Sequence, residues 1–198
     1  MTEVSPTRAV VLELKDEQRA MHEGYVFLDE KCLLLAGEIL RELARYAALD
    51  RALLDAHGVA IETLQAAVAR HGLHDLQVYP PLDQSAATLA CATRSIMGVR
   101  LQDATWTSTV DAPPPAVAPS PEAEACRRAF LVLLAAEARL AAVSGNLERL
   151  SFEYRRSVRR ARALQDVLLP ELDQSVSRIE TRLEELEQED AISMRHRA

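Results

Sequence analysis

Aromatic residues are scarce in this chain: Phe, Tyr and Trp together make up 4% of its 198 residues. A wide globular core draws on large rings to fill its volume, so an Ala- and Leu-rich chain points instead to narrow helix-to-helix seams and an elongated shape. Glycine is sparse too, and its 6 copies form no GxxxxGK[ST] phosphate loop; GxSxG and HExxH are also missing. No grouping of nucleophile, base and electrophile stands out, so neither an enzyme nor a cofactor-binding protein is expected. The 3 cysteines, Cys32, Cys91 and Cys126, are odd in number, far apart and without a CxxC pair. That pattern fits reduced thiols in a cytosolic protein, read here as small apolar fillers. His71 and His74 have ligand-like spacing but no third donor close by, so no metal site is expected. Met1–Thr7 lacks a basic start followed by an apolar run, and no stretch approaches the ~20 uncharged apolar residues that span a bilayer. A soluble protein is expected, with work beside a membrane left open.

What is present is 48% hydrophobic residues at a mean hydropathy of -0.08, enough apolar surface for one ordered domain. The net charge of -7 opposes binding to nucleic acid or anionic lipid by the chain as a whole.

Two long helices are predicted. Ser5-Pro6-Thr7-Arg8 reads as a helix start, with Ser5 as cap and Pro6 in the first turn. From there Val11, Leu14, Met21, Tyr25, Leu28, Cys32, Leu35 and Ile39 step by three and four, interrupted by Gln18, as in a coiled-coil seam. Leu43, Tyr46, Leu53 and Leu64 continue it after a four-residue shift, and Gly72 is a left-handed stop. The second helix starts at Ser120-Pro121-Glu122 and runs to about Arg195, with its seam through Leu140, Leu147, Tyr154, Val158, Ala161, Gln165, Leu168, Leu172, Val176, Ile179, Leu183 and Leu186. Pro170 lies inside it and is read as a kink. Between the helices, Leu76-Gln77-Val78-Tyr79 is strand-like, Pro80-Pro81 breaks it, and Leu82 to Ala92 is read as a short helix. A hairpin follows, Ser95–Leu101 with Thr105–Val110 around a turn at Gln102-Asp103, and then a Pro- and Ala-rich connector.

The expected fold is therefore mainly α: two long antiparallel helices forming a coiled coil, joined by a small cap with a short β-hairpin. Its parts are residues 1–72 for the first helix, 73–119 for the cap and 120–198 for the second helix. Helices of ~60 to 70 residues would each be ~90 to 105 Å long, and a short cap lets them return only along one another. Nothing in either seam sets the register between them.

Three blocks in order resemble the D-type shaft family of V-type and A-type ATPases. Near the start stand Pro6-Thr7-Arg8, Leu14-Lys15, Gly24-Tyr25, Leu28 and Lys31; in the middle, Ile96-Met97-Gly98-Val99; near the end, Arg159-Arg160-Ala161-Arg162-Ala163-Leu164-Gln165 with Leu169-Pro170. Ala161, Arg162 and Gln165 depart from that family's Val, Asn and Glu, which suits a divergent bacterial member. The resemblance implies a non-catalytic central shaft of a rotary ATPase, peripheral on the cytoplasmic side of the membrane. Its termini would insert into the ring of catalytic and nucleotide-binding subunits, a small F-type stalk subunit would lie beside it, and a funnel-like adaptor of the C/d type would link its cap to the membrane rotor.

Two sets of residues are candidates for partner binding. Arg155, Arg159 and Arg162 share a helix face with Arg156 and Arg160 beside them, a positive collar on an acidic chain. It either faces acidic partner loops or pairs with carboxylates of the opposite helix. Met97, Gly98, Val99 and Trp106 lie in the hairpin, and either dock a partner or pack the cap onto the helix ends. A free-standing coiled-coil adaptor or nucleic-acid-associated scaffold using the arginines is the alternative from another class.

Overall fold

The computed structural model describes residues 7–76, 87–108 and 119–197. Helix α1 spans Arg8–Leu76, strands β1 and β2 span Ala87–Ile96 and Val99–Ser108, and helix α2 spans Pro121–Ala163. A π-helical turn, Leu164–Leu168, joins α2 to α3, Leu169–Arg197. The fold is mainly α with one antiparallel hairpin, as the sequence predicts. It divides into two compact units, Met1–Leu34 with Tyr154–Ala198 and Leu35–Glu153.

In the first unit the start of α1 runs antiparallel to α3. Arg8 pairs with Glu187 at 2.7 Å, Lys15 with Glu180 at 2.6 Å, and Gln18 donates to Asp173, so numbers rise on one helix as they fall on the other. Gln18 thus takes a seam position with a polar partner opposite. The helix cap is Thr7, whose Oγ1 accepts from Val10 N–H at 3.4 Å; the predicted cap Ser5 lies outside the described residues. The seam shows Val11, Leu14, Met21, Tyr25, Leu28 and Cys32 half-buried.

At Pro170, read from the sequence as a kink, the helix carries a π-turn just before the proline. Leu169 N–H donates to Leu164 O, five residues back. A proline in a straight α-helix pushes its ring against the carbonyl four residues earlier, and one inserted residue widens the turn and relieves that clash. The insertion also shifts the seam. It passes from Ala161 and Leu164 to Leu169, Leu172 and Val176, while Gln165, Leu168 and Leu186, all predicted on the seam, are exposed.

In the second unit α1 and α2 are again antiparallel, with Arg70 paired to Glu122 at 2.9 Å and His71 bonded to Ser120 Oγ at 2.6 Å. Ser120 caps α2 as predicted, its Oγ accepting from Ala123 N–H at 3.2 Å. Gly72 breaks α1 with a φ of 76°, a backbone state open to glycine at little steric cost. The predicted four-residue shift is absent: the heptad continues through Ile39, Glu42, Tyr46, Leu53, Ala60 and Ala67, which are buried or half-buried, while Leu43 and Leu64 are exposed. Leu43 and Leu64 belong instead to a second stripe, Leu40, Leu43, Leu54, Ile61 and Leu64, displaced one residue from the seam and so about 100° around the helix.

The hairpin also differs from expectation. Its turn is Met97-Gly98, not Gln102-Asp103, and β1 pairs with β2 from Ala87↔Ser108 to Ile96↔Val99. Both turn residues have positive φ, 48° and 82°, as a two-residue turn matched to strand twist requires. Ala87–Ala92, predicted helical, lies in β1. Residues 77–81, where a strand and its break were predicted, lie outside the described residues. Cys91 sits exposed on β1, not buried as a filler, whereas Cys32 and Cys126 are half-buried; in both of these, burial raises the thiol pKa. The α2–α3 segment holds one window, of mean hydropathy 1.5, long and apolar enough to cross a membrane by length and composition, which a count of uncharged residues misses.

Candidate functional site

The most distinctive chemistry is a polar layer inside the second unit. Glu38 and Glu42 lie one turn apart on α1, at 2% and 0% exposure, and Asn146 of α2 is also at 0%. None of the three stands out in the sequence, because Glu38 and Glu42 with Arg41 and Arg45 three residues on read as an ordinary solvated helix face. A further partner comes from the hairpin. Arg94 of β1 places Nη2 2.7 Å from Glu38 Oε1 and 2.8 Å from Glu42 Oε1.

Every charge in the layer is answered. Arg41 reaches Glu38 at 2.9 Å and Arg45 reaches Glu42 at 2.8 Å, each three residues ahead on α1. Arg45 also pairs with Asp103 of β2 at 2.6 Å, and this bond to Asp103 leads the causes that raise its pKa. Asn146 Nδ2 donates to Glu42 Oε2 at 3.2 Å and to Gln102 O at 2.8 Å, and its Oδ1 accepts from Gln102 N–H at 2.8 Å. Buried carboxylates are tolerable only when paired and hydrogen-bonded in this way. Such a layer cannot slip by one position without orphaning its members, so it fixes the helix register within this unit, as single polar positions do in coiled coils.

The sequence-predicted hairpin residues separate. Met97 is at the tip and 37% exposed, whereas Val99 is 6% exposed and turned inward with Leu101. Trp106 is half-buried and pairs across the strands with Leu89. At a strand rise of about 3.3 Å per residue it is more than 20 Å along β2 from the tip, so Trp106 and Met97 cannot form one patch. The five arginines, Arg155, Arg156, Arg159, Arg160 and Arg162, are all exposed on α2, while Ser157 and Ala161 between them are buried on the seam. No ion pair among the described residues involves Arg155, Arg159, Arg160 or Arg162. No group of three or more His, Cys, Asp and Glu able to hold a metal occurs among the described residues.

Long helices paired in antiparallel fashion within each unit, with a hairpin clamped on one pair through charge, define a mainly α, coiled-coil class of protein. The model of the ATP synthase D-subunit family matches residues 10–196. The chain belongs to this family. It is 26% identical over 195 residues to the V-type ATP synthase D-subunit of Thermotoga neapolitana, covering 97% of this chain and 95% of that protein. It is 28% identical to the A-type ATP synthase D-subunit of Thermococcus gammatolerans, covering 94% and 89%. To the V-type ATP synthase D-subunit of Anaeromyxobacter dehalogenans it is 29% identical, covering 98% and 95%.

Proposed function

We propose that this chain is the central rotor shaft of a V/A-type ATP synthase, coupling ATP hydrolysis or synthesis in a catalytic ring to ion translocation by a membrane rotor. The single observation that carries the reading is the family match from residue 10 to residue 196, which takes in the helices of both units and the hairpin. In this reading the chain performs no bond chemistry. It must resist bending and torsion, and paired helices with continuous seam packing supply that stiffness.

The shaft works at the cytoplasmic face of the membrane, among the catalytic and nucleotide-binding ring subunits, the small F-type stalk subunit and the funnel-like C/d-type adaptor. The exposed stripe Leu40, Leu43, Leu54, Ile61 and Leu64 supports assembly, since apolar surface of that extent is normally covered by a partner. The exposed arginines are the contact for acidic loops of the ring, where complementary charge sets rest positions, and Met97-Gly98 is the hairpin's outward contact. Pull-down with this chain from its native organism, read by mass spectrometry, should recover catalytic and nucleotide-binding ATP synthase subunits together with the small stalk protein. Recovery of nucleic acid or unrelated proteins instead would sink the reading. Replacing Arg155, Arg156, Arg159, Arg160 and Arg162 with Gln should weaken assembly or coupled turnover, and unchanged coupling would remove the collar's role.

A further inference from the structure

Few apolar side chains of the hairpin are fully enclosed, with Ile96, Ala104 and Trp106 half-buried. Val99 and Leu101 are its buried hydrophobic residues, β1 is exposed along nearly all its length, and two strands alone are marginal in water. Its attachment is ionic and polar, through Arg94 to Glu38 and Glu42, Gln102 to Asn146 and Asp103 to Arg45.

The bonds are distributed asymmetrically. If the hairpin were removed, Glu38 would still have Arg41, and Glu42 would still have Arg45 and Asn146. Asn146 Oδ1 would still accept from Arg149 at 2.7 Å. Each helix residue of the layer therefore keeps a partner on the helices, so their pairing does not depend on the hairpin. Arg94 has no such reserve, because it faces only Glu38 and Glu42 among its ion pairs. The Arg94 side chain is 41% exposed, so its guanidinium can pass to water without crossing a closed core.

We propose that Arg94 is the positioning residue of a latch: the hairpin Ala87–Ser108 docks on and lifts off the helices as one unit, Arg94 exchanging between the Glu38–Glu42 pair and water while α1 and α2 stay paired. The charged groups facing Arg94 are Glu38 and Glu42, flanked by Arg41 and Arg45 on α1, Asp103 on β2 and Arg149 on α2. The inference does not rest on the shaft reading, since it concerns the chain alone. A latch of this kind lets hairpin position vary while the helices hold their register, a two-state element of the type that partners can bias.

The test is amide hydrogen exchange on the full chain, parent against Arg94→Met and Arg94→Lys. Arg94→Met keeps the aliphatic stem and removes the charge, so amides within Ala87–Ser108 should exchange about tenfold faster or more, with α1 and α2 amides of the same unit within about twofold of the parent. Arg94→Lys restores a cation able to bridge both carboxylates and should bring the hairpin back to within about threefold of the parent. Hairpin amides unchanged in Arg94→Met overturn the latch, as does a lysine that fails to rescue. Equal acceleration in α1 and α2, or failure of Arg94→Met to fold, overturns it as well, because the layer would then be holding the helices.

Discussion

The two units use the same element, a pair of antiparallel helices, and bury very different amounts of it. In Leu35–Glu153 seam residues such as Leu35, Val143 and Leu150 are fully enclosed, and even charged groups are taken inside. In the unit formed by Met1–Leu34 and Tyr154–Ala198 most seam positions are half-buried, and the cross-helix ion pairs lie on the surface. Two helices meet along one line and leave water on both flanks, so a side chain on that line keeps some exposure. A third layer closes one flank, and in the second unit the hairpin supplies it near Glu42 and Asn146. Enclosure raises the value of each apolar contact and equally the cost of each unpaired polar group.

The largest effect should separate the units by packing. Leu150→Ala opens a cavity in an enclosed site and should cost about 3 kcal/mol, whereas Leu183→Ala on a half-buried seam position should cost about 1 kcal/mol. Urea unfolding followed by circular dichroism measures both. Equal losses would mean that burial does not separate the units, and the contrast would fail. Next in size is Asn146→Ala, which strands Gln102 N–H and C=O and one oxygen of Glu42. Leaving buried groups unpaired costs about 2 kcal/mol. A loss under a few tenths would show that water replaces the amide freely.

The same contrast explains what could be read in advance. The seam through Val11, Leu14, Met21, Tyr25, Leu28 and Cys32 was legible because a two-helix contact depends on local periodicity alone, and Ser120 was legible because caps are local. Glu42 was not, since beside the local Arg45 its burial depends on Arg94, 52 residues away on a strand, and on Asn146, 104 residues away on α2. A search confined to apolar residues therefore jumped to Leu43 and onto the wrong face. The hairpin turn was missed because Gln102-Asp103 is more polar than Met97-Gly98. The readable signal was the glycine centred between two ten-residue runs. Pro170 announced a distortion, but its form as an inserted residue follows from how the carbonyls before it are satisfied. The arginines were legible both as charge and as a face off the seam, while whether they meet carboxylates of the opposite helix was not, because that depends on which residues the pairing brings alongside them.

Thiol chemistry sharpens the comparison at smaller scale. Cys91 on the exposed strand should react with a soluble disulfide reagent about tenfold faster than Cys32 or Cys126, whose half-burial limits access and whose raised pKa keeps them protonated to higher pH. One fast and two slow phases in a native-state thiol titration is the expected trace. Three equal rates would show that neither half-buried thiol is protected by its helix pair.

The smallest effect belongs to the surface pairs of the first unit. Lys15 and Glu180 approach to 2.6 Å, yet both side chains are more than two-fifths exposed, so water and salt screen their attraction and holding two long side chains in one geometry costs entropy. Lys15→Gln should therefore change unfolding free energy by less than about 0.5 kcal/mol, and 1 M salt should erase even that. A loss comparable to that of Asn146→Ala would mean that charge secures the first unit as it does the second, and burial would no longer be what distinguishes them. A null result would leave the ion pairs the task of choosing the antiparallel partner face, with cohesion coming from the apolar line between them.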